Sequence, residues 1–147
     1  MYLHQIFSEM KLIPKGVWVE NPYDLVQTDF IISESILPIL NISNTSVFFT
    51  KLSIKHLSEK GDVGEYMLLK IRNILAEPDS VYTGNFENRF LISKMMIFQN
   101  DTKAHVITLE ITRDLGNIIV TGFVSKPAYF KNLKLLWGTA SSPSQQS

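Results

Sequence analysis

His56 has the most suggestive neighbours of any histidine in the chain. In the stretch SIKHLSEK, residues 53–60, Lys55 precedes it, Glu59 lies three residues on and Lys60 one helical turn on. An imidazole set among lysines can titrate near neutral pH and serve a phosphate as acid or base. The same spacing also suits a boundary histidine at the edge of the apolar stripe Leu52, Ile54 and Leu57, bonded to a backbone carbonyl. Spacing alone favours that plainer reading and leaves both open. A second set of candidates lies in IIVTGFVSK. Strand alternation there puts Ile119, Thr121, Phe123 and Ser125 on one face, and two hydroxyls on one face can orient a phosphate. Threonine is also simply common in strands.

Among the basic residues, Arg89 opens the run RFLISKMMIF after a polar turn, a position that suits a side chain reaching into a cleft. In a regular strand Arg89 and Lys94 face opposite ways, so at most one serves a given sheet face. Lys103 and Arg113 flank turns and read as solvated charges. His4, His56 and His105 are far apart in sequence, and His105 is assigned to the strand face opposite Ile107 and Leu109. With no cysteine, no paired-histidine motif, no glycine-rich phosphate loop and no nucleophile elbow, the sequence calls for no metal and no cofactor.

The elements that must position these residues follow from periodicity. Leu3, Ile6, Phe7 and Met10 have helical spacing. KGVWVENPYD reads as a short strand or extended stretch, and the region up to residue 46 follows neither period cleanly. After Val47–Phe49, a β-prone run, two helices are expected over about 51–60 and 63–76. Thr50 or Ser53 caps the first, Asp62 with Glu65 forms a capping box for the second, and Pro78 ends it. SVYTG, RFLISKMMIF, HVITLEITR and IIVTGFVSK then alternate as strands, joined by QNDTK and by DLGN, where Gly116 supplies a positive φ. Such short links imply antiparallel pairing. Pro127 with Tyr129 or Phe130, Leu133, Leu136 and Trp137 reads as a closing helix, and residues 138–147 as a frayed tail. The expected class is α+β: N-terminal helices packed on a four- or five-stranded antiparallel sheet, with a closing C-terminal helix.

The 147 residues suit one domain, and 45% hydrophobic against 19% charged residues is enough for a core without staples. Fourteen basic residues balance fourteen acidic ones, which argues against a protein that coats nucleic acid but leaves room for a local basic cleft. No apolar run approaches the ~18 residues of a membrane span. The start lacks a signal-peptide pattern, so a cytoplasmic location is expected, with no membrane association.

The order of these pieces resembles the phage-associated members of the barnase, EndoU and colicin-like nuclease superfamily. It rests on three short signatures spread over residues 47–137: a Lys-His-apolar helix, an L-x-x-P-D helix exit, and an apolar strand ending in Thr with Ser-Lys just beyond. The resemblance implies a small metal-independent endoribonuclease of toxin type from a phage or prophage setting, acting on RNA such as tRNA. The ribose 2′-hydroxyl would attack the adjacent phosphate and leave a 2′,3′-cyclic phosphate. By that resemblance His56 is the acid or base, Arg89 holds the scissile phosphate, and Thr121 and Ser125 supply hydroxyls. Lys55, Lys60 and Lys126 are then candidates for phosphate contacts. A free toxin also implies a neutralising immunity or antitoxin protein. Residues 1–46 fall outside the resemblance and read as an accessory or cap segment. The alternative is a catalytically inactive domain of the same fold that binds protein or RNA, for which an exposed patch near Phe48, Phe49, Tyr129 and Trp137 would speak.

Overall fold

The computed structural model describes residues 2–139, which form an α+β fold with helices laid on one face of a mixed sheet. The chain opens with α1 (Leu3–Lys11), burying Ile6, Phe7 and Met10 at the expected spacing. It continues without regular structure to a short strand, β1 (Leu25–Gln27). One 3₁₀ turn (Glu34–Ile36) and one helical turn, α2 (Leu37–Leu40), lead into β2 (Val47–Thr50).

β2 passes straight into α3 (Lys51–Ser58) because Thr50 and Ser53 cap reciprocally. The Ser53 amide donates to Thr50 Oγ1 at 3.0 Å and the Thr50 amide to Ser53 Oγ at 2.9 Å. Two otherwise orphaned amides are satisfied together. Next comes α4 (Asp62–Ala76), with Met67, Leu68, Ile71, Ile74 and Leu75 buried. Its N-cap is Gly61 at φ 65°, not Asp62; Asp62 and Glu65 stand in the first turn, where carboxylates favour the helix dipole.

Four strands then run as a meander: β3 (Ser80–Thr83), β4 (Arg89–Phe98), β5 (Asp101–Ile111) and β6 (Asn117–Ser125). Gln99 and Asn100, at φ 53° and 66°, join β4 to β5 in the two-residue turn whose twist matches that of its strands. Gly116, at φ 89°, takes the positive angle the β5–β6 turn requires.

The sheet is larger than the sequence suggested. It has seven strands in the order β1-β2-β6-β5-β4-β3-β7, and the β2–β6 pair is parallel. One added strand, β1, is three residues long and comes from a stretch with no clear period; β2, four residues long, is the β-prone run at Val47–Phe49, paired here into the sheet. Another added strand replaces the expected closing helix. Only Pro127–Phe130 makes a 3₁₀ turn; β7 (Leu135–Gly138) then pairs antiparallel with β3. The free edge of β3 offers backbone partners that a short helix would leave unused. Gly138 therefore belongs to the sheet, at φ 87° with the Asp79 carbonyl where a Cβ would stand. Residues 140–147 of the expected tail lie outside the described residues.

The sheet has a core on each face. Val47, Phe49, Val81, Ile92, Ile107, Leu109 and Ile119 join the helices in the main cluster, which also takes Ile6, Phe7, Val26 and Phe30 from the first 46 residues. Each fully buried Leu or Ile contributes about 2 kcal/mol. On the other face, Tyr82, Leu91, Ala104 and Val106 are covered by Phe130 and Leu133. Tyr82 and Phe130 stack there at 4.3 Å.

A bulge in β6 decides which side chains reach which face. Thr108 pairs with Thr121 and Leu109 with Ile119, so Val120 is the extra residue. Ile119 thereby joins the helix-side core, while Thr121 faces away. The expectation that Ile119 and Thr121 share a face fails for that reason; that Thr121, Phe123 and Ser125 share one holds.

Candidate functional site

The candidate site lies where the end of α3 meets β6. β2 pairs only with Asn117–Ile119, and α3 packs alongside β6 beyond them. At the end of α3, Lys60 Nζ donates to Thr121 Oγ1 at 3.0 Å and to the Gly122 carbonyl at 2.8 Å. It also stands 5.8 Å from the centroid of Phe123. Burial of this ammonium lowers its pKa below the usual lysine value. His56 is exposed in the last turn of α3, four residues before Lys60, which stands in the turn that follows the helix. Ser125 is on the face of Thr121, its hydroxyl donating to the Lys126 carbonyl at 3.3 Å. Lys126 is exposed.

Arg89 shares that sheet face, since it alternates with Leu91 and pairs with Glu110. It lies two strands from β6, about 12 Å from Thr121 between Cα positions. Its Nε donates to Glu110 Oε1 at 3.0 Å, and its guanidinium sits 4.9 Å from the Phe86 centroid. As expected, Lys94 faces the other way; it donates to the Glu77 carbonyl at the end of α4 at 2.7 Å.

Lys55 is not a phosphate contact. Its side chain is 2% exposed, and its ammonium donates to the carbonyls of Ile13 and Pro14 at 3.0 and 3.2 Å. It pairs with Glu59 at 3.2 Å, and this hydrogen bond holds the Glu59 carboxyl below the usual carboxylate range. On α3 the position next to His56 turns inward against the loop after α1. Lys55 therefore serves structure.

His105 also departs from expectation. Positions 105, 107 and 109 alternate onto one face, so it is buried on the helix side with Ile107 and Leu109. Its Nδ1 lies 3.0 Å from the Lys103 carbonyl and its Nε2 2.7 Å from Tyr66 Oη. A carbonyl only accepts, so Nδ1 carries the proton and Nε2 accepts from the tyrosine. Burial lowers the His105 pKa and keeps the ring neutral. It takes no part in the site.

Two of the seven sequence-predicted residues, Lys60 and Thr121, are in direct contact; His56 is exposed four residues before Lys60, and Ser125 shares the face of Thr121 about 13 Å along the strand. Arg89 shares the face at a distance, Lys126 borders it and Lys55 is excluded. The Lys60–Thr121 contact joins positions 61 residues apart and had no local sign in the sequence. A surface depression of about 510 Å³ lies elsewhere, bounded by Tyr2, His4, Asp29, Phe30, Leu68 and Arg72. Among the described residues no group of His, Cys, Asp or Glu is arranged to hold a metal ion, and no helix is long and apolar enough to cross a membrane. Comparison of the chain with protein-family models, with curated proteins and with solved structures finds no match.

Proposed function

We propose that the protein is a metal-independent endoribonuclease that cuts RNA by attack of the 2′-hydroxyl on the adjacent phosphate. The observation that carries this reading is the contact of Lys60 with Thr121 beside the exposed His56. That arrangement offers a proton-transfer group, a cation and a hydroxyl to one phosphate. His56 takes the proton of the 2′-hydroxyl as its oxygen bonds to phosphorus; Thr121 donates a hydrogen bond to a phosphate oxygen as charge grows on it, and the Lys60 ammonium gives a proton to the 5′-oxygen as the P–O5′ bond breaks. Ser125 and Lys126 extend the donor set along the strand, and Arg89 would hold a neighbouring phosphate once released from Glu110. The phage or prophage setting, the toxin role and the neutralising partner belong to the same proposal and rest on the resemblance.

One observation favours a second reading, a catalytically silent RNA- or protein-binding domain. The guanidinium of Arg89 is already paired with Glu110, which a working phosphate clamp would have to break. Purified protein incubated with total RNA and tRNA in excess EDTA separates the two. The expected result is cleavage leaving 2′,3′-cyclic phosphate ends, reduced at least ~100-fold in His56→Ala. Folded wild type and variant that are equally inert would sink the nuclease and leave the binding domain.

A further inference from the structure

The 3₁₀ turn after β6 fixes the direction of two adjacent aromatic rings. Phe130 is 4% exposed and stacks on Tyr82, so this stretch of backbone is anchored to the sheet. Its neighbour Tyr129 is consequently turned outward and is 48% exposed. The Tyr129 ring is nevertheless held in place: it meets Phe123 edge-on at 5.2 Å and Phe130 edge-on at 5.4 Å. An exposed aromatic ring fixed on two sides loses little conformational entropy when something stacks on it.

What adjoins this ring narrows the choice of what stacks. Phe123 lies two residues, about 7 Å, along the strand from Thr121, and Lys60 stands between the two, 5.8 Å from the Phe123 centroid and 3.0 Å from Thr121 Oγ1. The charge carried by the chain on either side of the ring is of one sign. Asp114 is the last acidic residue in the sequence, and beyond it come Lys126, Lys131 and Lys134, all exposed and flanking Tyr129. In a chain of zero formal charge the basic excess is thus placed on the segment that carries the exposed ring. An exposed aromatic face on a lysine-bearing segment is the combination that binds single-stranded nucleic acid, stacking the base and neutralising the phosphates.

We infer that Tyr129, braced by Phe123, is a base-stacking platform that receives an unpaired nucleotide next to the phosphate held at Lys60 and Thr121. The substrate class is therefore single-stranded RNA, or a loop of a folded RNA, and not a duplex. Bases in a duplex are stacked on one another and offer no free face to Tyr129. This inference rests on the nuclease reading for the placement of the phosphate, but Tyr129 is a positioning residue and its work is separable from cleavage.

The test uses the full chain and a short RNA that is 2′-O-methylated throughout, which cannot be cut. One position carries a fluorescent purine analogue whose emission is quenched by stacking. The expected result is quenching on binding, with affinity about tenfold weaker in Tyr129→Ala. Tyr129→Phe should keep both quenching and affinity, because the ring and not the hydroxyl does the stacking. The same RNA annealed to its complement should bind far more weakly. Equal affinity of wild type and Tyr129→Ala, equal affinity for single strand and duplex, or no binding would overturn the inference. Circular dichroism of each variant checks that its fold is intact. On a cleavable strand, Tyr129→Ala should raise KM with little change in kcat. If the uncut RNA behaves as expected and the wild type cleaves nothing, it is the nuclease reading that fails and the platform stands.

Discussion

At the scale of single residues, Lys55 and His56 show how neighbours in sequence part company in space. Both belong to the Lys-His signature that carried the resemblance, yet one is buried and the other exposed. A step of one residue on a helix turns the side chain through about 100°, so adjacent candidates seldom serve one ligand. The Lys55 ammonium satisfies two backbone carbonyls of the loop after α1 and pairs with Glu59. Lys55→Ala should therefore lower stability by about 3 kcal/mol, since it strands buried carbonyls and leaves Glu59 without its cation. Urea unfolding gives the number. Loss of RNA cleavage with an unchanged unfolding midpoint would instead restore Lys55 to the list of substrate contacts. The proline and aspartate of the helix exit are structural in a similar way: Asp79 Oδ2 accepts the Met95 amide of β4 at 2.6 Å.

At the scale of elements, the sequence was most legible where one period ran unbroken. α3, α4 and the meander strands sit within a few residues of their expected limits, because Met67, Ile71 and Ile74 or Ile107 and Leu109 mark a buried face without ambiguity. β1 and β7 are three and four residues long, too short for a period to show, and their pairing, like that of the β-prone run in β2, depends on distant partners. β7 misled in a specific way: Leu133, Leu136 and Trp137 keep helical spacing, but the edge of β3 claims the backbone. The bulge at Val120 is likewise invisible in an alternating strand and changes which residues accompany Thr121. For the site, residue types were readable and convergence was not, since that depends on how α3 lies against α4 and β6. Gly64 sets part of this packing, as a Cβ there would overlap the Leu57 carbonyl oxygen. Gly64→Ala should cost about 3 kcal/mol by forcing α3 and α4 apart. Because α3 carries His56 and leads directly into Lys60, cleavage should fall even under conditions where the variant remains folded. An Ala variant as stable as wild type would mean that the close approach of the two helices is dispensable.

At the scale of the whole molecule, burial separates two kinds of histidine environment. The face away from the helices and the end of α3 present polar groups to solvent, whereas His105 is sealed between β5 and α4 with Tyr66. Its pKa is depressed by burial, which outweighs the opposing effect of the Lys103 carbonyl bond, and the charge of Lys70 lowers it slightly further. A histidine with a folded pKa below its unfolded value binds more protons when unfolded. Its contribution to stability is complete above the unfolded pKa of about 6.5 and is lost as pH falls below that value towards the folded one. The slope cannot exceed about 1.4 kcal/mol per pH unit for one such group. The carboxylates lowered by Arg72 and Lys55, Asp29 and Glu59, lose their contribution at lower pH, below their unfolded values of about 4. The urea midpoint should therefore decline in a first step as pH falls below about 6.5, which belongs to His105, and in a second step below about 4. His105→Gln, which keeps a hydrogen-bonding side chain beside Tyr66 but does not titrate, should abolish the first step and leave the second. If both proteins decline in parallel from pH 6.5, the acid sensitivity lies outside this buried pair.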